Sequence, residues 1–131
     1  MTKISIIIPC YNEKNTVVKL INILNNLQIN KQIVLVDDYS NDGTREIIEK
    51  DLSNKIDKII FHKKNLGKGA CIRTAKEFIL GDIVIIQDAD LEYDPNDYNK
   101  LIKPILDKKV NVVYGSRVLN KNATPNKSFI S

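Results

Sequence analysis

Five short runs of aliphatic, largely β-branched residues, Ile4–Ile8, Ile33–Val36, Lys58–Phe61, Ile83–Ile86 and Val110–Tyr114, alternate with longer stretches of helical period. Such runs predict strands and the stretches between them helices. Thr16–Leu27 sets Val17, Ile21 and Leu24 on one face, Thr44–Leu52 follows a Ser-Asn-Asp-Gly turn, and Lys68–Leu80 repeats Ile72, Ala75 and Ile79. A fourth helix is expected from an Asp94 cap with Pro95 in its first turn, and Pro104 should kink or end it. The strand–helix alternation implies an α/β fold, a parallel and mostly buried sheet with helices on both sides.

With 131 residues, 43% of them hydrophobic, the chain is long enough for one core and too short for two full domains. The expected division is 1–119 as a ligand-binding core and 120–131 as an aperiodic polar segment leading elsewhere. The longest apolar stretches fall far short of the roughly 20 residues that cross a bilayer, and a strand pattern starts too early for a signal peptide. Two cysteines, Cys10 and Cys71, lack metal-type spacing, which argues against a disulfide framework or a zinc site and for a reducing cytoplasm. The formal charge of +4 is scattered, and 6% aromatic residues offer no stacking platform, so a nucleic-acid partner is not expected.

In parallel sheets ligands bind beyond the carboxyl ends of the strands. The first strand runs into Pro9-Cys10-Tyr11-Asn12-Glu13. There Tyr11 offers a ring for a base and Glu13 an acceptor for a base edge or ribose, although a turn with a capping asparagine explains the same residues. The second ends in Val36-Asp37-Asp38, adjacent carboxylates that repel unless a donor or cation stands by. Asp42 is expected to cap the next helix, and Asp38, backed by Val36, to bond a ribose or base. After the third strand, Gly67-Lys68-Gly69 lets backbone amides approach an anion while Lys68 supplies charge. That loop lacks the Walker ending, and a glycine turn with one solvated lysine accounts for it equally. His62, the single histidine, reads as a surface residue.

The most informative strand end is Gln87-Asp88-Ala89-Asp90-Leu91-Glu92-Tyr93-Asp94-Pro95. In an extended chain residues two apart point the same way, so Asp88, Asp90 and then Glu92 project together. Three ionised carboxylates on one side call for compensation, and Mg2+ or Mn2+ with open positions for substrate phosphates is the simplest. An acidic helix-capping turn explains Asp94 but not an acidic pair issuing from a buried Ile-Val-Ile-Ile strand. The fifth strand leads to Tyr114-Gly115-Ser116-Arg117, whose guanidinium suits phosphate oxygens.

Taken in this order, the five blocks resemble family 2 glycosyltransferases of the GT-A fold, and within them the dolichol-phosphate mannose synthase and polyprenyl-phosphate glycosyltransferase group. The resemblance spans Ile4 to Arg117. It implies that Pro9, Tyr11, Glu13, Val36 and Asp38 line a nucleoside pocket and that Asp88, Ala89 and Asp90 contact ribose, diphosphate and metal. Asp90 and Glu92, with Asp88, would ligate the ion, and Arg117 would contact the diphosphate. Asp88, Asp90 and Arg117 are thus the expected catalytic residues, and Lys68 an added donor-site contact.

The implied reaction transfers a sugar with inversion from a GDP- or UDP-sugar to a lipid-phosphate or glycan acceptor, with a polyprenyl phosphate favoured. Family members generally continue for about another hundred residues bearing the acceptor site and an interfacial segment. The expectation is therefore a GT-A core truncated at the C-terminus, cytoplasmic or at the cytoplasmic face of a membrane. Two rivals remain at this point. A non-catalytic nucleotide-sugar-binding module would keep the donor site alone, and a phosphoacceptor signalling domain would leave Tyr11, Glu13 and Arg117 unused.

Overall fold

The computed structural model describes residues 2–92, 94–98, 112–114 and 117–119, the last two segments as backbone pairings only. Six strands form one sheet in the order β3-β2-β1-β4-β5-β6. They are β1 (Ile4–Cys10), β2 (Lys31–Asp37), β3 (Lys58–Phe61), β4 (Ile83–Ile86), β5 (Val112–Tyr114) and β6 (Arg117–Leu119). All neighbours are parallel except β5 and β6, which pair antiparallel with Tyr114 opposite Arg117.

The near-continuous apolar strands follow from burial on both faces. Ile6, Ile8, Ile33, Leu35, Ile83 and Ile85 face one way, against Val17, Leu20, Ile21 and Leu24 of helix α1 (Val17–Asn26). Ile48 and Leu52 join this side from a π-helical turn, Ile48–Leu52, that continues α2 (Thr44–Ile47). Ile7, Val34, Val36, Val84 and Ile86 face the other way, against Cys71, Ile72 and Ala75 of α3 (Lys68–Lys76). The expected helices on both sides are therefore present, each fitted to the alternate residues of the same strands.

Three expectations shift in detail. The helix expected over residues 44–52 changes from α to π at Ile48. Helix α3 stops at Lys76, ahead of the expected Leu80, because the chain must turn back to β4. Its turn is held by a buried polar group: the Gln32 side chain donates to the Phe78 carbonyl at 2.8 Å and accepts from Leu80 N at 3.0 Å, while Gly81 N donates to Ser5 Oγ at 2.8 Å. Asp94 caps a short 3-10 turn, Pro95–Asp97, by accepting from Asn96 N at 2.9 Å. The continuation of that helix, Pro104, the start of β5 at residues 110–111 and the segment 120–131 lie outside the described residues.

Candidate functional site

Strand order places the site. The chain builds β1, β2 and β3 outward in one direction, then returns to the free side of β1 for β4, so a crevice opens between the carboxyl ends of β1 and β4. A cavity of about 160 Å³ lies there. Pro9, Cys10, Tyr11 and Glu13 reach it from β1, and Asp88, Ala89 and Asp90 from the turn after β4. Asp38, Lys68 and Cys71 complete the lining from the β2 end and α3. Eight of the residues expected at a donor site, from Pro9 to Asp90, thus meet in one cavity, whereas Val36 is fully buried beneath it and Glu92 is exposed outside its lining.

The loops around the cavity are stitched to one another. Asp37, fully buried, accepts from Ser40 N at 3.0 Å and Ser40 Oγ at 2.6 Å. The same Ser40 hydroxyl accepts from Asn12 N at 2.8 Å, and Asn12 returns its side-chain oxygen to Asn41 N at 2.9 Å. Asn12 and Tyr39 are held at positive φ, 53° and 67°, by these contacts. Asp42 stands one residue ahead of the expected cap position, which Gly43 occupies, and accepts locally from Thr44 N at 3.0 Å.

His62 departs from the expected picture, and its partner is Asp38. His62 is not a surface residue: it is 7% exposed, with Nδ1 2.8 Å from Asp38 Oδ1 and Nε2 2.8 Å from Thr74 Oγ1. The correction has a physical cause, since the β3 end lies beside the buried Asp38 carboxylate and His62 is a donor long enough to satisfy it. Asp38 also accepts from Leu66 N at 2.9 Å and Gly67 N at 2.8 Å, so it ties the glycine loop to β2. Burial pushes the Asp38 carboxyl up, but the hydrogen bonds from His62, Leu66 and Gly67 outweigh it and hold the group below its ordinary range. Among the described residues, Asp38, His62 and Cys71 bring ligand-type atoms within 4.8 Å of one another. Asp88, Asp90 and Glu92 are not gathered so closely.

The acidic segment meets the cavity for a different reason from the one expected. Strand geometry ends at Ile86 and Leu91 turns back at φ 64°, so residues 88–92 form a turn and the two-residue alternation does not apply. Two contacts hold it. Thr16 Oγ1 donates to the Ala89 carbonyl at 2.6 Å, spending on this turn the hydroxyl that would otherwise cap α1. Tyr98, buried, donates to Gln87 Oε1 at 2.7 Å, and Gln87 Nε2 donates to the Asp88 carbonyl at 3.1 Å. Asp90 accepts from Glu92 N at 3.0 Å. Across the cavity, Lys68 Nζ stands 2.5 Å from Asp88 Oδ1. Desolvation, followed by the negative charges of Asp90, Asp42 and Asp88, raises the Glu13 carboxyl above its usual range despite a hydrogen bond from Thr16.

A turn bearing two acids thus stands at the switch point of a parallel sheet, in one cavity with a lysine and a tyrosine–glutamate loop. The family model described as "Glycosyl transferase family 2" matches residues 5–130. The chain belongs to this family. A relative, the dolichol-phosphate mannosyltransferase of Pyrococcus furiosus, is 38% identical over 131 residues, covering 97% of this chain and 36% of its own length. The present domain therefore spans about a third of that relative. Among solved structures, S. aureus TarS 1-349 in complex with UDP superposes with a TM-score of 0.68 and 26% identity, over 82% of this chain and 33% of that one. The mannosyltransferase PcManGT from Pyrobaculum calidifontis, in complex with GDP-Man and Mn2+, gives a TM-score of 0.71 at 24% identity over the same shares, 82% and 33%. The fold of the family 2 domain is accordingly the GT-A fold.

Arg117 begins β6 rather than ending β5 in a loop, and its side chain lies outside the described residues. Thr16, Tyr98 and His62 are the positioning residues that sequence reasoning missed. Thr16 and Ala89 are 73 residues apart and His62 and Asp38 are 24 apart, so no local spacing reports either pair. The Asp37-Asp38-Tyr39-Ser40 stretch does carry a local signal, because a serine three residues after an aspartate can close on its carboxylate.

Proposed function

We propose that this family 2 domain is the donor-holding half of a glycosyltransferase that moves a sugar from a GDP- or UDP-sugar to a polyprenyl phosphate, inverting the anomeric centre. The carrying observation is that Asp88 and Asp90 line one cavity with Tyr11, Glu13 and Lys68. That set separates an aromatic surface for a base from a charged end for a diphosphate.

Asp88 and Asp90 are hard oxygen donors that fit Mg2+ or Mn2+, with Glu92 exposed beside them on the same turn. Such an ion, when bound, neutralises charge developing on the leaving diphosphate. Lys68 pairs with Asp88 and lines the same cavity, within which its ammonium would also serve a donor phosphate. Tyr11, 45% exposed, presents its ring for stacking, and Glu13 holds an acceptor beside it. Arg117 is proposed as a further diphosphate contact. A polyprenyl monophosphate is largely dianionic at neutral pH, its second pKa being about 6, so it attacks without a strong general base. Such an acceptor would bring the reaction to a membrane surface, and the cytoplasmic face is the one proposed. No helix among the described residues is long and apolar enough to cross one.

Calorimetric titration with UDP and GDP, with and without Mn2+, tests the donor site. Metal-dependent binding that Asp90→Asn abolishes, with the far-ultraviolet spectrum unchanged, is expected, and unchanged metal dependence in that variant refutes the assignment. Transfer to a short-chain polyprenyl phosphate is the test of the reaction, and binding without turnover would reduce the chain to a donor-binding module.

A further inference from the structure

The net charge of +4 is carried unevenly. Residues 58–76, which form edge strand β3, the loop after it and helix α3, hold six of the 20 basic residues and none of the 16 acidic ones. The rest of the chain is therefore acidic in sum. Two of the six are engaged, Lys58 over the Phe78 ring at 4.5 Å and Lys68 on Asp88. Lys63, Lys64 and Arg73 are exposed and make no ion pair among the described residues. The Arg73 guanidinium folds back along α3, 3.3 Å from where a Cβ on Gly69 would stand, so it lies toward the loop that bears the two lysines.

That loop is firmly founded. Leu66 N and Gly67 N both donate to the Asp38 carboxylate, at 2.9 and 2.8 Å, and Asn65 Nδ2 donates to the Asp38 carbonyl at 3.2 Å. With these groups tied inward, the loop leaves Leu66 48% exposed, two residues after Lys64. Tyr39, next to Asp38, is 49% exposed on the adjoining loop. A leucine and a tyrosine ring held out beside unpaired cations match an anionic bilayer, which offers phosphates at its surface and hydrocarbon just beneath.

We propose that the loop of residues 63–67, together with Arg73, docks this domain on an anionic lipid bilayer, with lipid phosphates meeting the three cations and Leu66 entering the headgroup layer.

Position gives the contact a use. The loop follows β3 at the carboxyl edge of the sheet, the edge where the donor cavity opens, and none of Lys63, Lys64, Leu66 and Arg73 lines that cavity. The other exposed apolar pair, Phe78 and Leu80, lies at the opposite edge, in a groove with Lys3, Gln32 and Lys58 at the amino ends of β1, β2 and β3. Docking through the loop therefore brings the cavity edge toward the lipid. The choice of a bilayer over another polyanion rests on the proposed lipid-phosphate acceptor. Each cation within a Debye length of an anionic surface gains about fivefold in partition, so Lys63 and Lys64 together supply about 25-fold.

The test is sedimentation of the 131-residue chain, without nucleotide or metal, with vesicles of phosphatidylcholine and phosphatidylglycerol in a roughly two-to-one ratio, against phosphatidylcholine alone. Binding is expected to the mixed vesicles only, and to weaken as salt rises. Lys63→Gln with Lys64→Gln should lower it about 25-fold, whereas Lys50→Gln with Lys55→Gln, which removes equal charge at two other exposed positions, should lower it less than about threefold. The chain contains no tryptophan, so Leu66→Trp and Leu80→Trp each give a single reporter. Emission from the first should shift to the blue on mixed vesicles, and emission from the second should not. No binding to mixed vesicles, equal losses in the two lysine pairs, an unshifted Leu66→Trp, or equal affinity for a single-stranded DNA oligonucleotide overturns the proposal. Such a failure leaves the donor site standing, because UDP and GDP are titrated without lipid. Vesicle docking without nucleotide binding refutes the donor reading instead.

Discussion

Replacing Thr16 with valine isolates the contact that holds the acidic turn. Valine keeps the β-branched shape at the start of α1 and removes only the hydroxyl, which makes no capping bond to that helix. What disappears is the 2.6 Å bond to the Ala89 carbonyl, and Ala89 is 3% exposed. A buried carbonyl stripped of its partner costs about 1 to 3 kcal/mol, and the short donor distance places this case toward the upper end. The weaker 3.2 Å contact to Glu13 contributes little, because that half-exposed carboxylate can turn to water. If the turn loosens without global unfolding, the cost appears as lost affinity for Mn2+ with nucleoside diphosphate, about 5- to 150-fold. Thr16→Ser, which restores the donor, should recover most of it. Calorimetry and urea denaturation measured on both variants check the two outlets. Thr16→Val matching the parent within about 0.5 kcal/mol in both would refute the idea that this hydroxyl positions Asp88 and Asp90.

Lys68→Met should raise Mn2+ affinity in the absence of nucleotide, because Asp88 is released from its ion pair, and lower affinity for the nucleoside diphosphate; calorimetry reads both signs. Its effect on stability should stay below about 1 kcal/mol, since both partners are about a third exposed. Gly81→Ala should lower the urea midpoint by about 1 to 3 kcal/mol equivalent, because its Cβ would stand 2.6 to 2.8 Å from Ser5 Oγ, Ser5 N and the Lys3 carbonyl. Asp38, held below its ordinary range, contributes stability that is complete above its unfolded pKa of about 3.9 and is lost as pH falls through the lower folded value. Acid unfolding of Asp38→Asn should accordingly be shallower than that of the parent in the region below about pH 4.

The sheet was legible because its information is local. Ile-rich runs buried on both faces have few alternatives, and strands, helical face of α1 and the Asp94 cap all emerged near their expected places. The division of labour between Asp37 and Asp38 was not legible. Both are buried, and which one faces Ser40 or His62 depends on how three loops converge. His62 shows the same limit: a solitary histidine after a strand reads as surface until the neighbouring strand end is known to carry an unsatisfied carboxylate. Asp88 and Asp90 were expected in one place on a period-2 argument, and they share a cavity through a turn instead.

That difference bears on how the site works. An extended strand would hold the two acids at fixed spacing, whereas a turn anchored through Thr16 and through the Tyr98–Gln87 pair holds the backbone and leaves the carboxylates adjustable. Lys68 sits on Asp88, while Glu13 is held above its ordinary range by desolvation and by the charges of Asp90, Asp42 and Asp88. Among the described residues, Lys68 alone lines the cavity as a cation against Glu13, Asp38, Asp88 and Asp90, so a divalent cation gains Coulomb energy from several groups at once. The turn provides the freedom to collect them, and the two anchors keep that freedom from spreading into the core.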